Sequence, residues 1–487
     1  MATVPELLQR VANAPNGSSV AAFFDYDGTV IDHFSAGAFY QHRIRHGEIG
    51  PLEFARTILA LARRGGGERF DDFLDMTLGR WRGKTEAEMA ELGEKLFKDE
   101  ISGRLHWEVW ELVEAHRAKG HRIAITSPAS GFQVAPMARA LCADDVLCTP
   151  VEVVDGVLTG RMGGPALGGD AKADAVKSLM AAHQMDPEQC FAYASAAEDI
   201  PFLESVGKPA CVNPDARLGR AARQRDWPVL RCAPRGGLPS VGDAVRTAGC
   251  YGSLAGAFAV GLGVGLLNRS RSTLVDITGG VGSDIGLAVA GVEVQVVRGA
   301  EHLWSARPCV FIFNHQSKLD PLVVMKLLRG GYTGVAKKEA ANVPGFGQFF
   351  RLAGVAFVDR GNTKQAREAL EPAVRKVRDD GLSLVIAPEG TRSATPRLGR
   401  FKKGAFHIAM QAGVSVVPIV MRNVGEVMWR GSQTIRPGTV EVAILDPVDT
   451  TEWTVEDLAD RVAEVRASYI EILADWPGAD PQKPRSS

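Results

Sequence analysis

At 487 residues the chain is longer than one ordinary hydrophobic core organises, so two to four domains are expected. Its 45% hydrophobic and 23% charged residues exclude a disordered or fibrous chain. The net charge is −1, but residues 298–439 hold 22 Lys and Arg against 10 Asp and Glu, and residues 440–487 hold 4 against 11. A basic middle suits phosphates, coenzyme A or an anionic lipid surface. No nucleic-acid-binding motif accompanies it, so no nucleic acid is expected as a partner. The seven cysteines form no Cys-x-x-Cys pair. They read as reduced, buried thiols of a cytosolic protein, not as disulfides or a zinc site. Pro5, Glu6 and Asn13 stand where a signal peptide needs an apolar run, so secretion is not expected.

Val20–Phe24 is a short apolar run ending in Asp25-Tyr26-Asp27-Gly28-Thr29 and predicts a buried strand. Residues 33–118 carry charged and aromatic residues at helical spacings, with few strand signals, and predict a helical insert. Ile123–Thr126 is a second strand, ending at Ser127-Pro128. Val151–Val154 and Val157–Thr159 flank Asp155-Gly156, a strong two-residue turn, and predict a hairpin. Cys190–Ala194 and Pro209–Val212 are further strands. Strands alternating with helical stretches predict a parallel, doubly wound sheet over residues 1–235.

Residues 236–246 read as a linker after Pro234-Arg235-Gly236-Gly237-Leu238-Pro239. Between Arg246 and Arg269 lie 22 uncharged residues, a length sufficient to span a bilayer. Glycines in this stretch suit close helix packing. Ser272–Ala290, interrupted by Asp276 and Asp284, predicts a partner helix, so residues 247–290 read as a membrane-associated segment. Strand–helix alternation resumes from Val292, with a second α/β domain over 291–475 and a loose tail over 476–487. Pro308–Phe313, Val355–Val358, Leu382–Ala387 and Val414–Val420 are its apolar runs. The first three lead into Asn314–Asp320, Asp359-Arg360 and Pro388–Arg392, and strand carboxyl ends are where α/β sheets place their sites.

His315 and Asp320, five residues apart, can pair so that the carboxylate fixes the imidazole tautomer and leaves the other nitrogen to take a proton. Arg392 beside Gly390 offers a planar fork for phosphate where backbone approaches closely. Four ordered blocks carry these residues: Asn314-His315 with Asp320, Gly354–Arg360, Pro388–Ser393 and Val417-Pro418-Ile419, with Lys337-Lys338-Glu339 and Pro344–Gly347 between. Over about 250–450 the chain thereby resembles the glycerolipid acyltransferases, the 1-acylglycerol-3-phosphate acyltransferases. The resemblance implies that His315 is the general base, oriented by Asp320. Arg360, Glu389, Gly390, Thr391 and Arg392 would hold the acceptor phosphate, with Lys337 near. The acceptor hydroxyl would attack an acyl thioester, releasing coenzyme A or acyl carrier protein. No cofactor and no covalent acyl-enzyme are needed, which fits the lack of a nucleophile elbow.

Residues 20–232 resemble the phosphoserine-phosphatase-like branch of the haloacid dehalogenase superfamily, a capped doubly wound fold. That resemblance implies Asp25 as nucleophile, Asp27 as general acid and base, Ser127 on a phosphoryl oxygen and Lys172 neutralising charge. Mg²⁺ would be held by Asp25, Asp27 and Asp199. The chain departs from the family at Ala194-Ser195-Ala196-Ala197-Glu198-Asp199, where Ser195 replaces an expected metal-binding carboxylate. The combined expectation is a membrane-associated acyltransferase on the cytoplasmic face, joined to a weak or inactive phosphatase-like domain. It would convert 1-acylglycerol 3-phosphate (lysophosphatidic acid) and acyl-CoA into phosphatidic acid. A bifunctional enzyme with a Mg²⁺-dependent phosphomonoesterase, another lysophospholipid acceptor, a pseudo-enzyme first half and a homodimer stay open.

Overall fold

The computed structural model describes residues 2–48, 78–236, 239–343, 345–358 and 363–477. The chain divides into two compact units, Met1–Gly237 and Leu238–Ser487.

The first unit contains β1 (Ala21–Asp25), β2 (Arg122–Ser130), β3 (Asp145–Thr149), β4 (Val151–Val154), β5 (Val157–Met162), β6 (Phe191–Ala194), β7 (Lys208–Val212) and β8 (Val229–Leu230). Six of them form a parallel sheet in the order β3-β2-β1-β6-β7-β8. β1 is buried along its whole length, which is why it reads as a continuous apolar run and not an alternating one. β4 and β5 form the expected antiparallel hairpin, with Asp155 and Gly156 both at positive φ. The hairpin is tied to the insert: Gly83 N donates to Leu158 O at 2.9 Å and Leu158 N to Lys84 O at 2.9 Å. The insert helices include Ser35–Arg45 and Glu86–Leu96, the second started by a Thr85/Glu88 capping box. Residues 49–77 of the insert lie outside the described residues.

One boundary needs correction. Helix Trp107–Ala118, assigned by sequence to the insert, belongs to the sheet layer. It buries Val109, Leu112, Val113 and His116, and His116 Nε2 meets Tyr193 OH of β6 at 2.9 Å. Helical periodicity shows that a helix has an apolar face but not what that face covers.

The second unit contains β9 (Val292–Arg298), β10 (Val310–Phe313), β11 (Tyr332–Lys337), β12 (Ala356–Val358), β13 (Ser383–Ile386), β14 (Val416–Met421) and β15 (Gly438–Ile444). Their order is β12-β11-β13-β10-β14-β15-β9, parallel except for β14 against β15. Alternate residues of β10 serve opposite cores. Phe311 and Phe313 join Leu322, Val323 and Ile419 on one side; Val310 and Ile312 join Phe406, Val420 and Tyr469 on the other. Trp476, read as the start of the tail, is buried in the second core.

Helix Val241–Leu267 is 27 residues long and is the one described helix long and apolar enough to cross a membrane by length and composition. It starts within the stretch read as a linker, because the Ser240 side chain accepts from Asp243 N and caps it. It folds back along Arg271–Asp276, a wide turn at Ile277–Val281, and Gly282–Val289. Close packing requires glycine at Gly249 and Gly261, where an added Cβ would lie 2.6 Å from Val289 Cγ1 and 2.9 Å from Thr278 Oγ1. Gly252, Gly256 and Gly263 face open space instead. Asp284 turns inward to Lys326 Nζ at 2.7 Å and to Arg329. Val245, Val260, Leu266, Val281, Ile285 and Val289 are left exposed.

Candidate functional sites

The loop after β10 is folded by side chains from distant elements. Asn314 pairs both ways with the Met421 backbone at the end of β14, at 2.7 Å each. Gln316 Nε2 donates to Met421 O at 2.9 Å, and Ser317 Oγ to Met428 O at 2.6 Å. The loop ends at Asp320, the first residue of helix Asp320–Leu328, with Pro321 following. Asp320 is fully buried, and its Oδ2 accepts from His315 Nδ1 at 2.6 Å, Gln316 N at 2.8 Å and Ser317 N at 3.0 Å. One carboxylate oxygen therefore fixes both the loop and the ring. His315 Nε2 is the nitrogen left to accept a proton.

The Pro388–Ser393 turn is held to that loop through Glu389. Glu389 Oε1 accepts from His315 N at 2.7 Å, and Oε2 accepts from Ser393 Oγ at 2.7 Å and Gly399 N at 2.8 Å. Burial pushes the Glu389 carboxyl above its ordinary pKa, and these hydrogen bonds pull it back. Sequence reading placed Glu389 on the acceptor phosphate; the structure turns it away from the cavity into a positioning role. A carboxylate repels a phosphate, whereas three donors satisfy it here. Gly390 has φ of 72°, and an added Cβ would meet Lys402 Nζ at 2.9 Å. Glycine thus lets Lys402 lie against the turn. Arg430 Nη1 donates to Arg392 O at 2.6 Å and to Ser393 O at 3.1 Å, fixing the turn from behind.

These elements border a cavity of about 1980 Å³. His315, Lys318, Lys337, Gly390, Thr391, Arg392, Lys402 and Lys403 line its polar part, and Leu254, Phe258, Val275, Phe346 and Phe350 its apolar part. Burial, and next the Arg392 guanidinium, hold the Lys318 ammonium below its ordinary pKa, so two cations share one wall. Lys337 also carries an exposed ion pair with Glu339 at 3.0 Å. Arg360 lies outside the described residues. Lys402, Lys403 and Arg430 are functional candidates that sequence reasoning missed; they come from beyond the quoted blocks, and a cation outside such a block gives no local signal of its role.

In the first unit, Lys172 is buried at the carboxyl end of the sheet, 2.8 Å from Asp25 Oδ1 and 2.6 Å from Asp199 Oδ1. Asp25 Oδ2 also accepts from Thr29 Oγ1 at 2.9 Å. Asp27 turns elsewhere: Oδ1 accepts from Ser35 N at 2.6 Å and Oδ2 from Ser35 Oγ at 3.1 Å. Burial pushes the Asp27 carboxyl up to about 7, which suits a group that gives and takes a proton near neutrality. Burial also raises Asp199, against the pull of Lys172. Ser127 is fully buried on β2, its Oγ accepting from Ala129 N at 3.1 Å.

The metal expectation is divided by this geometry. Asp25 and Asp199 converge on Lys172, and the Asp27 carboxylate is directed to Ser35. Ser195 Oγ donates to the Asp27 carbonyl, at 3.4 Å. Mg²⁺ favours hard anionic oxygens, and two of the carboxylates here already share one ammonium. This donor set is a poor fit for tight Mg²⁺ binding.

Two family models match the chain: haloacid dehalogenase-like hydrolase over residues 22–204 and acyltransferase over residues 295–422. The 1-acyl-sn-glycerol-3-phosphate acyltransferase of Limnanthes alba is 36% identical over 183 residues, 38% of this chain and 64% of that protein. Its Limnanthes douglasii counterpart is 34% identical over 203 residues, 42% of this chain and 71% of that protein. Phosphoserine phosphatase SerB1 of Mycobacterium tuberculosis is 30% identical over 257 residues, 50% of this chain and 82% of that protein. The chain spans just under two thirds of the length of the Limnanthes alba relative.

Proposed function

The chain belongs to the haloacid dehalogenase-like hydrolases in its first half and to the 1-acyl-sn-glycerol-3-phosphate acyltransferases in its second, and from that premise we propose that its main activity is acyl transfer to lysophosphatidic acid. The observation that carries this is the His315–Asp320 pair on the wall of a cavity with a cationic part and an apolar part. An acyl-glycerol phosphate has the same two parts. Lys318, Arg392 and Lys402 take the phosphate, and Arg392 does so with a planar fork. His315 Nε2 removes the proton of the free hydroxyl as that oxygen attacks the thioester carbonyl of acyl-CoA. Asp320 holds the ring and stabilises the imidazolium. The C–S bond breaks, the imidazolium gives its proton to the departing thiolate, and phosphatidic acid is the product.

The exposed apolar residues of 241–289 seat this unit on a membrane, assisted by the basic stretch 298–439. The first unit keeps a nucleophile, a proton carrier and a buried lysine, but with Ser195 it hydrolyses phosphomonoesters slowly. Its likeness to a phosphoserine phosphatase favours a residual activity over none.

The test follows thiol release from acyl-CoA with lysophosphatidic acid. His315→Ala should lose about 10²–10⁴-fold in rate, and Asp320→Asn less, because the imidazole remains. Near-normal turnover in His315→Ala rules out the mechanism. A parallel measurement of phosphate release from a panel of monoesters ranks the two units.

A further inference from the structure

A second constellation lies in the first unit, away from Asp25 and Lys172. His106 ends the return path of the insert and precedes helix Trp107–Ala118; its extended backbone, with φ of −68° and ψ of 126°, lets its side chain converge with that of Glu108. Cys232 comes from the strap after β8, more than a hundred residues later. One ligand atom from each of His106, Glu108 and Cys232 lies within 4.8 Å of the other two. His106 is 1% exposed, and its Nδ1 is buried with no hydrogen-bond partner among the described residues. Glu108 Oε1 accepts from Ala233 N at 3.1 Å, and its carboxyl hydrogen-bonds the Cys232 thiol. A buried polar atom left without a partner costs about 1–3 kcal/mol, so His106 Nδ1 points to a missing partner.

We propose that His106, Glu108 and Cys232 bind a thiophilic divalent cation of the zinc class. Imidazole, carboxylate and thiolate are its ordinary donors. Zinc bonds of about 2.0–2.3 Å place tetrahedral ligands about 3.5 Å apart, so the side chains need to close by about 1 Å. The fourth position is left to water. Binding releases the thiol proton to solvent, and the sulfur lone pair takes the cation. Charge then balances locally. Glu108, the Cys232 thiolate and the neighbouring Asp32 face the dication and Arg235, whose backbone N donates to Asp32 Oδ2 at 2.6 Å. Burial, and next Glu108, raise the Cys232 thiol pKa, so affinity should rise with pH.

The position gives the cation a role. The two chain segments entering and leaving the insert meet here, with Asp32 N donating to Arg104 O at 2.8 Å and Ile31 bridging Leu105. Cys232 N donates to Asn213 Oδ1 at 2.8 Å, and Asn213 Nδ2 meets His106 Nε2 at 3.4 Å. A cation there staples the base of the insert to the strap that closes the unit, and so stiffens the insert's hinge.

The test uses the detergent-solubilised full chain, stripped with chelator, dialysed, and titrated with Co²⁺ under excess Mg²⁺. A thiolate-to-cobalt charge-transfer absorption should saturate near one equivalent and be displaced by Zn²⁺. Cys232→Ser should lose the band, and His106→Gln should weaken cobalt binding at least about tenfold. Zn²⁺ should raise the Tm of the wild type and not of Cys232→Ser. A wild type that shows no band at any cobalt concentration overturns the proposal, as does a band unchanged in Cys232→Ser. Because the wild-type measurement alone can reject the site, variants that fail to fold do not protect it.

Discussion

Ser195 occupies the place where a single oxygen decides how much charge the first unit offers a cation. Its hydroxyl lies 3.4 Å from the Asp27 carbonyl, beside the turn at Gly28. A carboxylate in its place would face that carbonyl oxygen, an arrangement that a bound cation relieves. Ser195→Asp should therefore tighten Mg²⁺ by at least about tenfold, since even the outer partners of a metal ligand are worth about 10–100-fold. Phosphate release should rise with it, and isothermal titration beside a phosphate assay checks both. Unchanged affinity would show that the site lacks more than this ligand. The residues that sequence reading found share a property: His315 and Asp320, or Asp25 and Asp27, sit close in the chain, so their chemistry appears as a local pattern. Lys172 was legible only through a family resemblance. Asn314 against Met421, Glu389 against His315 N, and Arg430 behind Arg392 are contacts between distant segments, and no spacing announces them.

Among the elements, the short buried strands were legible because both of their faces are covered and they read as uninterrupted apolar runs. β3, β8, β11 and β15 were missed; β8 is two residues long, and the others mix polar residues into partly exposed strands. The helix pair 241–289 was legible in length but not in orientation. The structure turns Asp284 inward and leaves Val281, Ile285 and Val289 outward at four-residue steps. Ile285→Lys with Val289→Lys should weaken sedimentation with anionic lipid vesicles at least about tenfold, given about 0.8 kcal/mol per buried methylene. Undiminished sedimentation would place the contact surface elsewhere. Helix Trp107–Ala118 carries a different sensitivity. Burial, and next His121, hold His116 well below its ordinary pKa, so the folded ring stays neutral. The unfolded chain takes up that proton below about pH 6.5. The stability contribution is thus complete above about 6.5 and declines as pH falls, by up to about 1.4 kcal/mol per unit. The Tm of the first unit should fall on acidification, and His116→Leu should flatten the slope. An equal slope in the variant would assign the effect to other groups.

At the scale of the molecule, each unit has its own sheet, core and polar site. Asp25→Asn should leave acyl transfer within about twofold of wild type, and His315→Ala should leave phosphate release within the same range, because independent sites add. Both activities assayed on both variants decide this, and a cross-effect beyond that range would show coupling between the units. The division itself was legible from length and from two unrelated sets of motifs. The His106, Glu108 and Cys232 cluster was not. The chain's cysteines looked scattered because sequence separation conceals what a closing strap brings together.

Helix Val241–Leu267 both presents apolar side chains outward and lends Leu254 and Phe258 to the wall of the cavity that His315 lines. On the function proposed above, an acceptor whose tail dissolves in lipid would slide sideways along this helix to His315 without being extracted into water. Turnover would then be a two-dimensional encounter. It should follow the mole fraction of acceptor in the lipid surface, not its bulk concentration, and inert lipid added at constant acceptor should slow the reaction by dilution alone.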